Sequence, residues 1–193
     1  MVEVLQNVDA NISLFLNGLH SAFFDVIMFW ISSTTIWIPL YLLIVYFIIK
    51  NYKGKAYIIL IAIALLVLLC DQISVHFFKE VFQRFRPCRP ESPIHEWVHI
   101  VNNHCGGKYG FVSSHATNTF GLAIYLSAVL KRYYRYFPVA IISWAVLVSY
   151  SRIYLGVHYF GDVIGGAILG TLLGILVFKF STYFLKRNVD NVS

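Results

Sequence analysis

Long apolar stretches separated by short polar segments constrain this chain more than any other feature. A membrane-spanning helix needs roughly 20 mostly apolar residues. Ala22 to Ile49, Ala56 to Phe78, Ala116 to Leu130, Phe137 to Leu155 and Phe160 to Leu185 supply the candidates, about five spans. At 59% hydrophobic and 12% charged residues, the chain is too apolar for a soluble domain of its length. The expected fold is therefore all-α, one integral membrane helical bundle over 1–193 with a transmembrane core over 22–185. Pro87, Pro90 and Pro93 punctuate its one sizeable loop, over 87–111.

Ala116 to Leu130 is short and opens with Thr117, Asn118 and Thr119, so it is expected to start below the surface beside a polar cavity. Within residues 1–20, Val4, Leu5, Val8, Ile12, Phe15, Leu16 and Leu19 recur at helical spacing, interrupted by Glu3, Asp9, Asn11 and Asn17. That pattern predicts an interfacial amphipathic helix. It lacks a basic start and a small-residue cleavage site and is expected to stay in the mature protein.

The formal charge of +6 comes from basic residues scattered in short groups, without a nucleic-acid-binding pattern. Lys50, Lys53 and Lys55 follow the first span, Lys131, Arg132 and Arg135 the third, and Lys186 and Arg187 the last. The positive-inside rule makes these ends cytoplasmic. Tyr133, Tyr134, Tyr136 and Phe137 suit an aromatic belt at that boundary. The 87–111 loop and the turn from Arg152 to Asp162 then face outward. Yet Lys79, Arg84, Arg86, Arg89, Lys108 and Arg152 fall on that outer side as well. Charges at the edge of a membrane are costly and mark functional sites, here one for an anion.

Three motifs carry the chemistry: Lys79 to Pro87, Ser113-Ser114-His115, and Ser151-Arg152 followed by His158 and Asp162. Phosphoryl transfer spreads negative charge over three oxygens, which fixed cations and N–H groups must surround. Lys79 and Arg86 share a helical face if the second span continues to Pro87. His158 and Asp162, four residues apart, are helical neighbours; the carboxylate can hold one ring nitrogen while the other attacks phosphorus. Ser113 to His115 directly precede a helix, where free N–H groups favour phosphate. Alone, these motifs read as a snorkelling basic cluster, an interhelical hydrogen bond and a serine N-cap.

Together they resemble the signatures of the type 2 phosphatidic acid phosphatase superfamily. The first and third match at every defining position; the second has Val112 and Ser114 where the family has proline and glycine. Serine keeps the backbone N–H without glycine's close approach. The resemblance implies that His158 forms a phosphohistidine, Asp162 orients it and His115 is the general acid. Lys79, Arg86, Ser113, Ser114 and Arg152 bind phosphate, and neither metal nor cofactor is required. It further implies a bacterial cytoplasmic membrane protein whose site faces outward, open sideways to lipid. Undecaprenyl diphosphate is the leading substrate, then a lipid A phosphate, then phosphatidylglycerophosphate or phosphatidate.

Two other classes remain. A phosphotransferase would pass phosphate from His158 to an alcohol. A non-catalytic lipid transporter or scaffold would not need the set His158, Asp162, Arg152 and His115. In the outer loop, Cys88 and Cys105 lie where a disulfide can persist, with free thiols as the alternative. His95, His99 and His104 with a cysteine could bind zinc, a reading set aside because the expected chemistry has no use for a metal. Cys70 reads as an inert core thiol, and Asp25 and Asp71 as interhelical hydrogen-bond partners. The pairs among Gly161, Gly165, Gly166, Gly170 and Gly174 read as packing within the chain. No pattern speaks to oligomeric state.

Overall fold

The computed structural model describes residues 2–190, with side chains described for 3–185. In hydrocarbon every backbone polar group must be satisfied internally, which selects helices for segments this apolar. Among the described residues there is no strand, and one isolated bridge pairs Phe85 with Tyr109.

Helix α1 (Val2–Gly18) meets α2 (Ala22–Ser32) at a bend of 113°. The expected span from Ala22 to Ile49 is broken. Ser33 is extended (φ −78°, ψ 131°), a 3-10 turn covers Thr34–Trp37, and α3 (Ile38–Tyr52) follows. The cause is the Ser32-Ser33-Thr34-Thr35 run, whose hydroxyls offer alternatives to helical hydrogen bonds; the Ser33 and Thr35 hydroxyls pair at 2.8 Å. Helix α4 (Ala56–Gln72) continues as a π-helix over Ile73–Lys79 and ends in α5 (Glu80–Phe82).

Thr34–Phe82 is an apolar helical stretch of 49 residues, more than twice what one crossing takes. Lys53, at φ 49°, turns it, and Ile44 and Ile48 of α3 share a core with Ile59 and Ala62 of α4. It therefore makes two crossings. Helix α6 (Ser114–Leu130) is a shorter helix of 17 residues, and α7 (Phe137–Tyr154) and α8 (Phe160–Asp190) are each long and apolar enough for a further crossing. Helix α6 lies at the centre, against α4, α7 and α8. Small residues let α6 and α8 touch backbone to backbone: a Cβ on Gly174 would stand 2.7 Å from the Gly121 carbonyl oxygen. Leu42, Ile61, Leu172 and Leu176 are exposed around the bundle, a surface suited to lipid.

The antiparallel course brings the ends of α4 and α7 together with the starts of α6 and α8. At the opposite end the Tyr52 hydroxyl donates to the Val129 carbonyl at 2.8 Å, and Asn51 Nδ2 to the Tyr134 hydroxyl at 3.1 Å. This joins the two basic turns on one side; the side chains of Lys186 and Arg187 lie outside the described residues. Helix α1 docks beside the starts of α8 and the outer loop. Its Asn17 Nδ2 donates to the carbonyls of His99, Ile153 and Tyr154 at 3.0, 3.2 and 2.8 Å. Asn17, which interrupts the amphipathic pattern of α1, is thus one of its contacts with the bundle.

Candidate active site

His158 lies in the short turn before α8 and Asp162 in its first turn. Their side chains meet at 3.3 Å, His158 Nδ1 to Asp162 Oδ2. The Tyr159 N–H also donates to Oδ2, at 3.0 Å. A carboxylate held so accepts the proton on Nδ1 and leaves Nε2 with a free lone pair. Both residues are buried, at 2% and 0% exposure. Burial, then the charges of Arg86, Arg152 and Lys79, hold the His158 imidazole well below its ordinary range. It is neutral at neutral pH, as a nucleophile must be.

The four cations around this pair come from different elements. Lys79 ends the π-helix, a distortion frequent at functional sites, and its Nζ donates to the Ser114 hydroxyl at 2.5 Å. Ser74 shares that hydroxyl at 2.7 Å. Arg86 does not share a helical face with Lys79, because the helix ends at Gln83, left-handed at φ 48°, before Pro87 is reached. The loop places Arg86 instead: its Nε donates to the Tyr109 carbonyl at 3.2 Å and Nη1 to the Cys105 carbonyl at 3.4 Å. Arg152, at the end of α7, donates to the Ser32 hydroxyl. The Ser32 carbonyl accepts from the His115 ring, so the break after α2 holds both a cation and the candidate acid.

Ser113 caps α6, its hydroxyl accepting from the Ala116 N–H at 3.4 Å. Its own N–H donates to the Asp162 carbonyl at 2.9 Å. Ser113 thereby fixes the start of α6 on the start of α8, and the following N–H groups, of Ser114 and His115, remain to face an anion.

The fourth cation, Arg84, has no assigned role in the sequence motifs. Its Nη1 donates to Asp162 Oδ1 at 3.0 Å, and Nη2 stands 2.7 Å from Asp9 Oδ2 of α1. Its guanidinium lies over the Tyr159 ring at 3.7 Å, a cation–π contact. Asp9 in turn accepts from the Gly161 N–H at 2.6 Å, and Ser13 from the Phe160 N–H at 2.8 Å. Helix α1 thus caps α8 and anchors the cation that holds Asp162. Gly110 closes the other side: a Cβ there would stand 2.7 Å from Asp162 Oδ2, so only glycine lets the loop pass.

In the outer loop Cys88 and Cys105 are joined in a disulfide, with Cα atoms 5.6 Å apart, and Cys70 is a buried free thiol. His99 pairs with Asp25 at 3.0 Å and stacks on His20 at 3.7 Å, and Asp25 also accepts from the Tyr154 hydroxyl at 2.8 Å. The cysteine and one histidine of the zinc alternative therefore have other partners. No group of three His, Cys, Asp or Glu placed to hold a metal occurs among the described residues.

Comparison with known proteins bears on this site. The family model described as the PAP2 superfamily matches residues 55–186. The lipid A 4′-phosphatase of Bacteroides thetaiotaomicron is 42% identical over 179 residues, covering 92% of this chain and 79% of that protein. The lipid A 4′-phosphatase of Porphyromonas gingivalis is 36% identical over 187 residues, covering 96% and 78%. Among solved structures, a transmembrane PAP2 type phosphatidylglycerolphosphate phosphatase from Bacillus subtilis superposes with a TM-score of 0.67 at 24% identity, over 93% of this chain and 87% of that one. At that identity the likeness speaks for the fold.

Proposed function

The chain belongs to the PAP2 superfamily and is a membrane lipid phosphatase, and we propose that its substrate is a phosphate ester of lipid A, at the 4′ position. The observation that carries this reading is the match, over nearly the whole chain, to two relatives of that name. It sets lipid A ahead of undecaprenyl diphosphate, the leading substrate expected from the motifs.

The site geometry supports a two-step mechanism. His158 Nε2 attacks phosphorus while Asp162 accepts the hydrogen bond of its Nδ1–H; the new N–P bond forms as the bond from phosphorus to the sugar oxygen breaks. His115 gives that oxygen its proton. Water then attacks the phosphohistidine, losing a proton to His115, and frees His158 with release of inorganic phosphate. Lys79, Arg86 and Arg152, with the N–H groups at the start of α6, offset the charge on the three transferring oxygens. Arg152 and Arg86 can grip with forked donors, and Lys79 acts as a point charge.

We place this site at the outer face of the cytoplasmic membrane. The support is the basic Lys50–Lys55 and Lys131–Arg135 turns at the opposite end of the bundle. The deciding experiment incubates purified protein with bisphosphorylated lipid A, polyprenyl diphosphate and phosphatidylglycerophosphate, following phosphate release and locating the lost group by mass spectrometry. Loss of the 4′ phosphate from lipid A is expected. Release from polyprenyl diphosphate alone would overturn the assignment.

A further inference from the structure

A cavity of about 390 Å³ opens beside the candidate acid and runs down into the bundle, within the size range of ligand pockets, about 300–1,000 Å³. Ser32 and His115 line its upper end, and Thr34 and Val67, both exposed, mark a side opening between α3 and α4. Asn118 and Thr119 follow one turn down, and beyond them the wall is apolar: Ile63, Leu122, Trp144 and, deepest, Ile44, Leu60 and Leu126. Under Leu126 the bundle closes. Ile48, Ile59 and Leu130 are each 0% exposed, so the pocket is blind.

Its depth can be read from α6. At about 1.5 Å per residue, His115 to Leu126 spans about 16 Å, roughly half of the ~30 Å hydrocarbon core. The pocket is one leaflet deep and starts at the candidate acid, His115.

We propose that this pocket seats one acyl chain of the bound lipid phosphate, and that its blind end sets the longest chain accepted. The inference rests on reading the substrate as an acylated lipid. An acyl chain already spans one leaflet from a headgroup at the outer face, so it enters sideways with its phosphate at His158. A polyprenyl chain, longer than a leaflet is deep, cannot be housed to its end.

The test uses one glycolipid phosphate with acyl chains of graded length, in mixed micelles at fixed surface concentration. The readout is the ratio of kcat/KM for long against short chains within each enzyme, so that a general loss of activity cancels. Leu60→Trp shortens the pocket and should lower this ratio about tenfold, the scale on which hydrophobic pockets discriminate methylenes. Leu60→Ala deepens it and should raise the ratio, and it carries the test should the tryptophan variant fail to fold. A ratio unchanged in the folded variants would overturn the proposal. If the wild type ignores lipid A but shows the same length limit with another acylated phosphate, the lipid A assignment fails and the pocket stands. If it cleaves lipid A with no length limit, the reverse holds.

Discussion

The two ends of the bundle carry the same kinds of cation and treat them differently. At the end remote from the candidate site, the proposed inner end, Lys50 lies over Tyr46 at 5.8 Å, Arg132 over Tyr52 at 4.9 Å and Arg135 over Tyr136 at 5.6 Å, and all three cations are exposed. At the outer end Arg86 and Arg152 are 7% and 8% exposed, and each is held by protein oxygens. Taking a charge out of water costs several kcal/mol, so the outer arrangement is kept where an anion offsets that cost. The exposed cations of the other end carry no such cost. Position relative to the membrane edge does not separate the two sets; burial and convergence do.

The sharpest way to break this contrast is to remove the proposed nucleophile. His158→Ala should lower phosphate release by about a thousandfold or more, as expected for groups acting as a unit. His115→Ala should leave slow transfer at most, and rapid-quench trapping of the phosphoenzyme would separate the two. Activity near wild type in the His158 variant would remove the outer end's claim to be catalytic.

Next in size come Arg84 and Asp9, which position Asp162 without reaching the phosphate. Arg84→Gln should lower kcat by about a hundredfold, the scale of a misplaced catalytic group, with KM little changed. Asp9→Asn should do less, because Arg84 keeps its bond to Asp162. Arg84→Lys should recover part of the loss. A rise in KM with kcat intact would instead make Arg84 a phosphate ligand.

The reason Arg84 and Asp9 were not legible in the sequence is physical. His158 and Asp162 are bound by helical spacing, and Ser113 by its place before an apolar run, so their neighbourhoods follow from local rules. The contact between Asp9 and Arg84 exists only once α1 folds back on α8. In an amphipathic segment an aspartate reads as the water-facing side. Ser32 is similar: the Ser-Ser-Thr-Thr run signals a break, but not that the break meets Arg152 and His115. The crossings were readable because hydrocarbon leaves a segment few choices. The substrate was not, because every phosphate monoester or diphosphate meets the same cations, and what distinguishes lipids lies in the pocket below.

A smaller effect concerns stability. His158 is kept neutral in the folded protein, whereas an unfolded histidine titrates near 6.5. Above that pH neither state is protonated there, and His158 contributes no pH dependence. As pH falls below it, the unfolded state takes up a proton that the folded state refuses, and stability drops by up to about 1.4 kcal/mol per pH unit. Thermal midpoints in detergent should fall between pH 6.5 and 5, and His158→Asn should flatten that part of the curve. An unchanged slope in this variant would mean that burial and the surrounding cations do not hold His158 neutral.

The smallest effect is expected at the inner end, where Arg132→Gln should change kcat/KM less than twofold. Arg132 donates to the neighbouring Tyr133 hydroxyl at 2.6 Å and rests on two tyrosine rings, but no candidate site residue is among its contacts. Exposed contacts of this kind contribute about 0.5–1 kcal/mol at most, and the adjacent Lys131 and Arg135 preserve the basic character of the turn. The tyrosines can stay at the interface without their cation, since their rings are amphipathic in their own right. The measurement is hydrolysis of the same lipid substrate by purified Arg132→Gln and wild type in identical micelles. A loss approaching that of Arg84→Gln would show that the inner turn is coupled to the site through α6, and the two ends would no longer be separable by burial alone.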